Sequence, residues 1–278
     1  MPRRAEEKPN AGGFYDDPAW YDILHTPGTA GEVRGLEMMH ERFAPRARTR
    51  RWLEPACGTG RYLRVAAARG VRTTGVDLSA RMLGYARASF ERRGLPGDFI
   101  EAGMESFTAR TEHHLAFCLI NSVRHLMTDR AMLAHLACVF DALHARGVYV
   151  LGVSLSDPGY EMPSEDVWKA RRGLCEVHQL VNYLPAEGVR GERGRRELVI
   201  SHLRVTTPTR VRTVDHTYAL RTYTPRQWAS LLKRAGLTIR AIVDERGDDL
   251  PIPAGATDGF DLESLAGRYA LYVLARRG

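Results

Sequence analysis

Seven consecutive residues, Glu54-Pro55-Ala56-Cys57-Gly58-Thr59-Gly60, hold the densest chemistry in the sequence. Gly58 and Gly60 allow a tight turn and leave main-chain amides open to a ligand, because neither carries a Cβ. The heptad lies where an apolar strand-like run passes into a helical pattern, a junction that suits a nucleotide or an amino-acid-like ligand. Asp77 ends the next apolar run, 17 positions after Gly60. A carboxylate at that separation, on the tip of a second strand, can accept hydrogen bonds from two ribose hydroxyls. A glycine pair alone serves structure as often as function. The acid at this distance turns the pattern towards a nucleoside.

Three histidines in successive strand-like runs form a second group. With a period of two, His216 shares a face with Val214, Tyr218 and Leu220 and points to an apolar interior. That interior is either a substrate chamber or the surroundings of a structural histidine. His202 shares its face with Ile200 and Arg204, and His178 with Leu180 and Asn182. No H-x-H or H-x₃-H pair joins them, so no metal site is expected. Cys57, Cys118, Cys138 and Cys175 show no C-x-x-C spacing; three sit in apolar runs, and all read as reduced core thiols.

The elements that must position these groups alternate. Helical spacing covers Asp17 to Leu24 and Thr29 to Phe43. Strand-like Arg51 to Ala56, helical Gly60 to Arg69, strand-like Arg72 to Asp77 and helical Ala80 to Arg93 follow. The pattern continues through strands at Asp98 to Glu101 and Leu115 to Ile120, a helix at Asp129 to Ala145 and a strand at Gly147 to Ser154. Such alternation predicts a parallel sheet with helices on its faces, because each crossover between parallel strands must span the sheet. Between residues 157 and 222 the rhythm changes to three strands in a row, Val177 to Leu184, Glu197 to Thr206 and Arg210 to Leu220, which reads as an antiparallel insertion. Thr224-Pro225 opens a helix that Gly236 stops, and strands at Leu237 to Asp244 and Arg268 to Leu274 close the chain.

Length and composition bound the rest. A chain of 278 residues can bury one sizeable core, and its formal charge of +7 comes from basic clusters interleaved with acids. Only three of the 40 basic residues are lysines, and no aromatic-basic stretch marks a nucleic-acid surface. No apolar run reaches the roughly 18 residues of a membrane span, and Met1 to Asn10 is charged and reads as frayed. A soluble cytoplasmic protein without nucleic-acid or membrane partners is expected, with room for a homodimer.

E-P-A-C-G-T-G, followed by Gly75-Val76-Asp77-Leu78-Ser79 with Met82 and Leu83, resembles the cofactor motifs of class I S-adenosylmethionine-dependent methyltransferases. The likeness runs, less tightly, over nearly the whole chain. It implies a doubly wound, mostly parallel seven-stranded sheet in 46–156 and 223–278, a helical lid in 1–45, and the insertion 157–222 as a cover over the active site. It also implies that Glu54 anchors the loop near the methionine moiety, that Ala56, Gly58, Thr59 and Gly60 line it, and that Asp77 holds the ribose. Leu78 and Met82 would pack on the adenine. Gly103-Met104 stands where the family has Asp-Met, so the usual side-chain contact to the adenine amino group is in doubt, although the Met104 amide can still read the ring. Ile120 and Asn121 match the segment that passes the methyl group, with His125 just beyond. Tyr15 and Tyr21, in an amino-terminal stretch like the family's tyrosine-rich lid, would face cofactor and acceptor; the other reading of that stretch is a helix start with aromatics packed on the sheet. Tyr223 to Leu237 is similar to the family's penultimate helix and supports the fold alone.

The reaction implied is methyl transfer by in-line displacement to a nitrogen or oxygen of a small molecule: an amine, amino sugar, amino acid or natural-product hydroxyl. S-adenosylmethionine would be the donor and S-adenosylhomocysteine the product, with His216, Asn121 and Tyr21 as candidate catalytic residues. An RNA or protein methyltransferase and a catalytically inactive cofactor-binding scaffold are the alternatives. A nicotinamide dehydrogenase is disfavoured, because the loop lacks the third glycine at the expected spacing. No N/D-P-P-Y motif for base amines follows the fourth strand, which continues Asn121-Ser122-Val123-Arg124.

Overall fold

A computed structural model describes residues 17–110, 112–186 and 193–277. Two helices, α1 (Pro18–His25) and α2 (Thr29–Phe43), precede β1 (Arg51–Pro55). Then come α3 (Arg61–Ala68), β2 (Arg72–Asp77), α4 (Ala80–Glu91), β3 (Asp98–Glu101), β4 (His113–Cys118), a 3₁₀ turn (Ser122–His125), α5 (Asp129–Asp141) and β5 (Leu143–Ser154). Four strands form the insertion: β6 (Ser164–Arg172), β7 (Cys175–Leu184), β8 (Arg196–Thr206) and β9 (Val211–Arg221). Helix α6 (Pro225–Arg234), β10 (Leu237–Val243), a short hairpin of β11 (Ala254–Gly255) and β12 (Gly259–Phe260), and β13 (Tyr269–Arg276) complete the chain.

The main sheet has the order β10-β13-β5-β4-β1-β2-β3. Its first five strands in sequence are parallel, and β13 pairs antiparallel with both β5 and β10. Both faces are apolar, as a covered parallel sheet requires. In β5, Val148 and Val150 join the cluster with α2 and α3, whereas Tyr149, Leu151 and Val153 join the cluster with α5 and α6. The strands run outward from β1 in one direction and then from β4 in the other. Their carboxyl ends diverge at that switch point and leave a crevice.

The insertion has four strands, not three, paired antiparallel in sequence order. Strand β6 escapes a reading by periodicity because, as an edge strand exposed on nearly every residue, it carries no apolar alternation. Helix α5 stops at Asp141 and β5 starts at Leu143, earlier than the apolar pattern predicts, because the Leu143 end of β5 pairs with His113 at the start of β4. Strand β4 ends at Cys118 rather than Ile120, for a reason that belongs to the site. Cys57 and Cys118 are buried as expected, but Cys138 and Cys175 are only half-buried. No helix among the described residues is long and apolar enough to cross a membrane.

Buried histidines knit the core in neutral form. His135 donates from Nδ1 to the Met104 carbonyl at 2.9 Å and accepts the Tyr149 hydroxyl at Nε2 at 2.7 Å. His40 accepts the Trp52 indole N–H at Nδ1 at 3.1 Å. Burial pushes both down to about 4, helped at His40 by the positive charges of Arg50 and His114. Both folded values lie below the unfolded value, so above about pH 6.5 neither group is charged in either state. As pH falls from there towards 4, the unfolded chain takes up protons that the folded chain refuses, and stability drops. We expect the pair to account for roughly 3 kcal/mol of lost stability between pH 7 and pH 5 in urea unfolding. A flat profile would show that both histidines are protonated without penalty.

Candidate active site

After β1 the chain turns through three left-handed residues. Ala56 has φ 56°, Gly58 φ 52° and Gly60 φ 66°, and Gly60 is the N-cap of α3. The Cys57 amide donates to the Val76 carbonyl at 2.9 Å, which fastens the turn to β2. Asp77, at the tip of β2, accepts the Gly58 amide on Oδ2 at 2.7 Å and the Ser79 amide on Oδ1 at 2.8 Å. Each carboxylate oxygen keeps lone-pair capacity for a further donor. Burial raises the Asp77 pKa, against the lowering effect of these amide donors.

The same crevice holds further strained backbone at the end of β4. Ile120 has φ 48° and Asn121 φ 61°. For a β-branched residue this is a rare conformation, costing about 1–3 kcal/mol, and it breaks the strand at Cys118. The fold enforces it from two neighbours. The Ile120 amide donates to the Tyr269 hydroxyl at 3.0 Å, and the Asn121 side chain accepts the Ser154 amide at 2.7 Å while donating to the Ser154 hydroxyl at 3.0 Å. Gly152 makes room for this arrangement, since a Cβ there would overlap the Tyr269 hydroxyl.

Between the two turns lies a cleft of about 300 Å³ including its open mouth, with Tyr21, Glu54, Arg61, Tyr62 and Ile120 in its walls. Glu54 is 5% exposed, and its Oε2 has no hydrogen-bond partner among the described residues. Burial holds its carboxyl well above the usual range. An acceptor left so is costly unless a ligand donates to it, and an ammonium group suits it. On the other side, Arg61 opens α3, where the helix dipole is also positive. Its guanidinium bonds Thr29 and Glu32 and lies 3.7 Å over the Tyr62 ring. A carboxyl that an approaching ammonium would ionise and a buried guanidinium face one cleft, which matches the zwitterionic end of an amino acid. Leu78, next to Asp77, is 77% exposed, an apolar surface a nucleobase can cover. The donor expected from the motifs, a nucleoside joined to an amino acid, therefore fits the residues present.

Tyr21 sits over the glycine turn, its ring 3.5 Å from where a Gly58 Cβ would be. Burial is the chief cause of its pKa rising to about 12, so it is a neutral phenol. His216 lies on the inner face of β9 beside Tyr218, with ring centroids 5.3 Å apart, and Tyr218 stacks on His125 at 5.5 Å. Burial, followed by the charges of Arg124 and His216, pushes His125 down to about 4.

Of the residues singled out in the sequence, Tyr21, Glu54, Ala56 and Ile120 line the cleft, Gly58 lies under the Tyr21 ring, and Asp77 and Leu78 flank the turn, whereas Gly60 turns its open side to Ala86, Phe90 and Phe99. Gly103 and Met104 lie on the adjoining turn, fastened to β2 by the Ala102 amide donating to the Asp77 carbonyl at 3.1 Å. Met82 and Thr59 are buried beneath, and the Thr59 carbonyl accepts from Arg64. The side chain of Asn121 is engaged at both ends by Ser154, which makes it a positioning residue rather than a catalytic one. His202 pairs with Asp215 on the exposed face of the insertion. Tyr15 lies outside the described residues. Sequence reasoning missed Arg61, Tyr62 and Tyr218. Arg61 directly follows the glycine turn, but its burial depends on α2, 30 residues upstream.

A profile of the methyltransferase domain matches residues 53–147, the stretch that carries both turns. No curated protein matches the sequence. Solved structures share the fold over nearly the full length. DesVI of Streptomyces venezuelae aligns with a TM-score of 0.70 at 20% identity, over 96% of this chain and 100% of its own. The sugar N-methyltransferase KedS8 of Streptoalloteichus gives 0.65 at 19% identity, over 100% and 98%. CalS10, an amino pentose methyltransferase from Micromonospora echinaspora solved with S-adenosylmethionine bound, gives 0.62 at 20% identity, over 98% and 100%.

Proposed function

We propose that the chain is an S-adenosylmethionine-dependent methyltransferase of class I fold that methylates the nitrogen of a small amine, of the amino-sugar type, held between the cofactor cleft and the antiparallel insertion. The observation that carries this reading is the aromatic wall made by Tyr21, His125, His216 and Tyr218 beside the cleft, in which burial keeps Tyr21 and His125 uncharged. Arginines around it are already paired: Arg124 with Glu197 and Arg172 with Asp22. Such a wall suits a compact uncharged acceptor better than a polyanion. The sugar and amino pentose methyltransferases of like fold point to the same acceptor class.

In this reading 46–156 and 223–278 bind the cofactor, 157–222 covers the acceptor and 1–45 acts as a lid. The insertion is tied down at both ends of the wall. Arg124 donates to the Arg221 carbonyl at 2.8 Å and to Glu197 at 2.8 Å, while the ring of His25 on α1 meets Trp168 of β6 at 5.0 Å.

The donor supplies an already activated methyl group, so what the chain must do is bind and aim. Glu54 and Arg61 take the amino-acid end, Asp77 takes the ribose hydroxyls, and the Ile120–Asn121 turn shapes the wall beside the reacting centre. The burial that drives His125 down to about 4 also penalises an ammonium ion, so the acceptor enters as free amine, its proton left in water.

Methyl transfer from labelled cofactor to a panel of small amines, amino sugars, hydroxyl compounds and transfer RNA tests the proposal. Label is expected in an amine, with a rate that rises as pH approaches the free amine's own pKa. Label in RNA alone, or in a hydroxyl with no amine accepted, would overturn it.

A further inference from the structure

Gln179 of β7 is an amide on the inner face of the insertion, 3% exposed, with one polar atom unmatched. Its Nε2 donates to the Ser201 hydroxyl at 2.7 Å, whereas its buried Oε1 has no hydrogen-bond partner among the described residues. Turning the amide over exchanges the two atoms and leaves the other one unmatched, because a single hydroxyl at that place engages only one of them. Such an atom is a cost to the empty protein that a ligand can remove. Strand register sets the pair beside the wall of the cleft. Gln179 is opposite Leu203, and Ser201 is opposite both Val181 and His216. Leu203 belongs to the apolar cluster that Tyr21 of α1 packs against, and Val181 to the cluster that Tyr218 packs against. The Gln179–Ser201 pair therefore lies at the junction of the two clusters, in the space between residues of the aromatic wall.

We infer that Gln179 is a specificity residue for the acceptor: its amide bonds a hydroxyl of the acceptor, so that amines carrying a ring hydroxyl are chosen over those that lack one. This rests on the amine reading given above. A hydroxyl both donates and accepts, so it matches the amide in either orientation, which an ammonium group, a donor only, does not. The cross-strand neighbours Leu203 and Val181 are apolar and offer the amide nothing. An acceptor without the hydroxyl leaves the atom unmatched in the complex, and sites that bond a substrate hydroxyl discriminate more sharply than apolar pockets do.

The test is methyl transfer from labelled cofactor, by the full chain, to the aminocyclohexanols, with cyclohexylamine as the analogue without a hydroxyl. The wild type is expected to favour at least one aminocyclohexanol over cyclohexylamine by about ten-fold or more in kcat/KM. In the double variant Gln179→Met with Ser201→Ala, both partners become apolar together and no new unmatched atom is made. That variant should lose the preference, bind S-adenosylhomocysteine as the wild type does in calorimetry, and unfold at an equal or higher Tm, since it no longer buries an unmatched amide atom. A preference that survives in the double variant, or a Tm lowered by more than about 3 °C, would overturn the inference and make the pair a structural one. A wild type that methylates both kinds of amine equally would overturn it too, and in each of these cases the amine reading stands. A wild type that methylates no amine at all would instead remove the amine reading, and this inference with it.

Discussion

Asp77→Ala is expected to lower affinity for S-adenosylhomocysteine by about 100-fold or more, because two hydrogen bonds from ribose hydroxyls to an ionised, largely buried acceptor are lost together. The structure adds a second contribution. The carboxylate also receives the Gly58 and Ser79 amides, so its loss loosens the glycine turn that faces the amino-acid end of the ligand. Stability should respond much less than affinity. Burial raises the Asp77 pKa, which means that the fold disfavours its charge, and removing the charge relieves that penalty while the amide partners are lost. Calorimetric titration and thermal unfolding of the same preparation separate the two effects. Asp77→Asn should fall between wild type and alanine, since an amide keeps one acceptor but adds a donor facing the ribose hydroxyls. An alanine variant that binds as tightly as wild type would show that the ribose lies elsewhere.

The second large effect is expected at Asp22, which holds α1 to the rest of the molecule. Asp22 is 2% exposed and meets Arg64 of α3 at 2.6 Å, Arg172 of β6 at 2.8 Å and the Tyr85 hydroxyl of α4 at 3.1 Å. Burial alone would raise its pKa, but the charge and hydrogen bond of Arg64 outweigh that and hold it low. Asp22→Asn leaves the Arg64 guanidinium buried without its countercharge, a change that costs about 3–5 kcal/mol. For a chain of this size that corresponds to a fall in Tm of roughly 10 °C. The sign with pH follows from the depressed carboxyl: its stabilisation is complete above the unfolded value near 3.9 and is lost as pH falls through the folded one. Arg172→Ala provides the control. Its side chain is 47% exposed, so the ion pair it makes is screened by water and its removal should change stability by less than about 1 kcal/mol. Differential scanning calorimetry of both variants decides the matter. An Asp22→Asn protein within 1 kcal/mol of wild type would mean that Arg64 finds water or another acid.

Most of the sheet was legible in the sequence because its strands are buried on both faces, and unbroken apolar runs punctuated by glycine and helical spacing leave few other folds open. Strand β6 was not, since SEDVWKARR has the composition of a solvated edge. The end of β4 was also misread. Apolar character continues through Leu119 and Ile120, but the backbone has already entered the left-handed region, held there by Tyr269 from a strand almost 150 residues later.

The site divides along the same line. The glycine turn, the acid at the second strand tip and the apolar residue after it were set by local sequence, because φ > 0 without a Cβ and a carboxylate at a strand end are properties of single positions and short spacings. Tertiary packing alone decided that Glu54 keeps an unmatched oxygen, that Arg61 is buried against Thr29 and Glu32, and that Tyr218 stacks on His125 across more than 90 residues of chain. It also decided that Asn121 turns to Ser154. Periodicity reports which residues are covered, but which charges share a buried space depends on how the covered faces come together, and that is a property of the assembled layers.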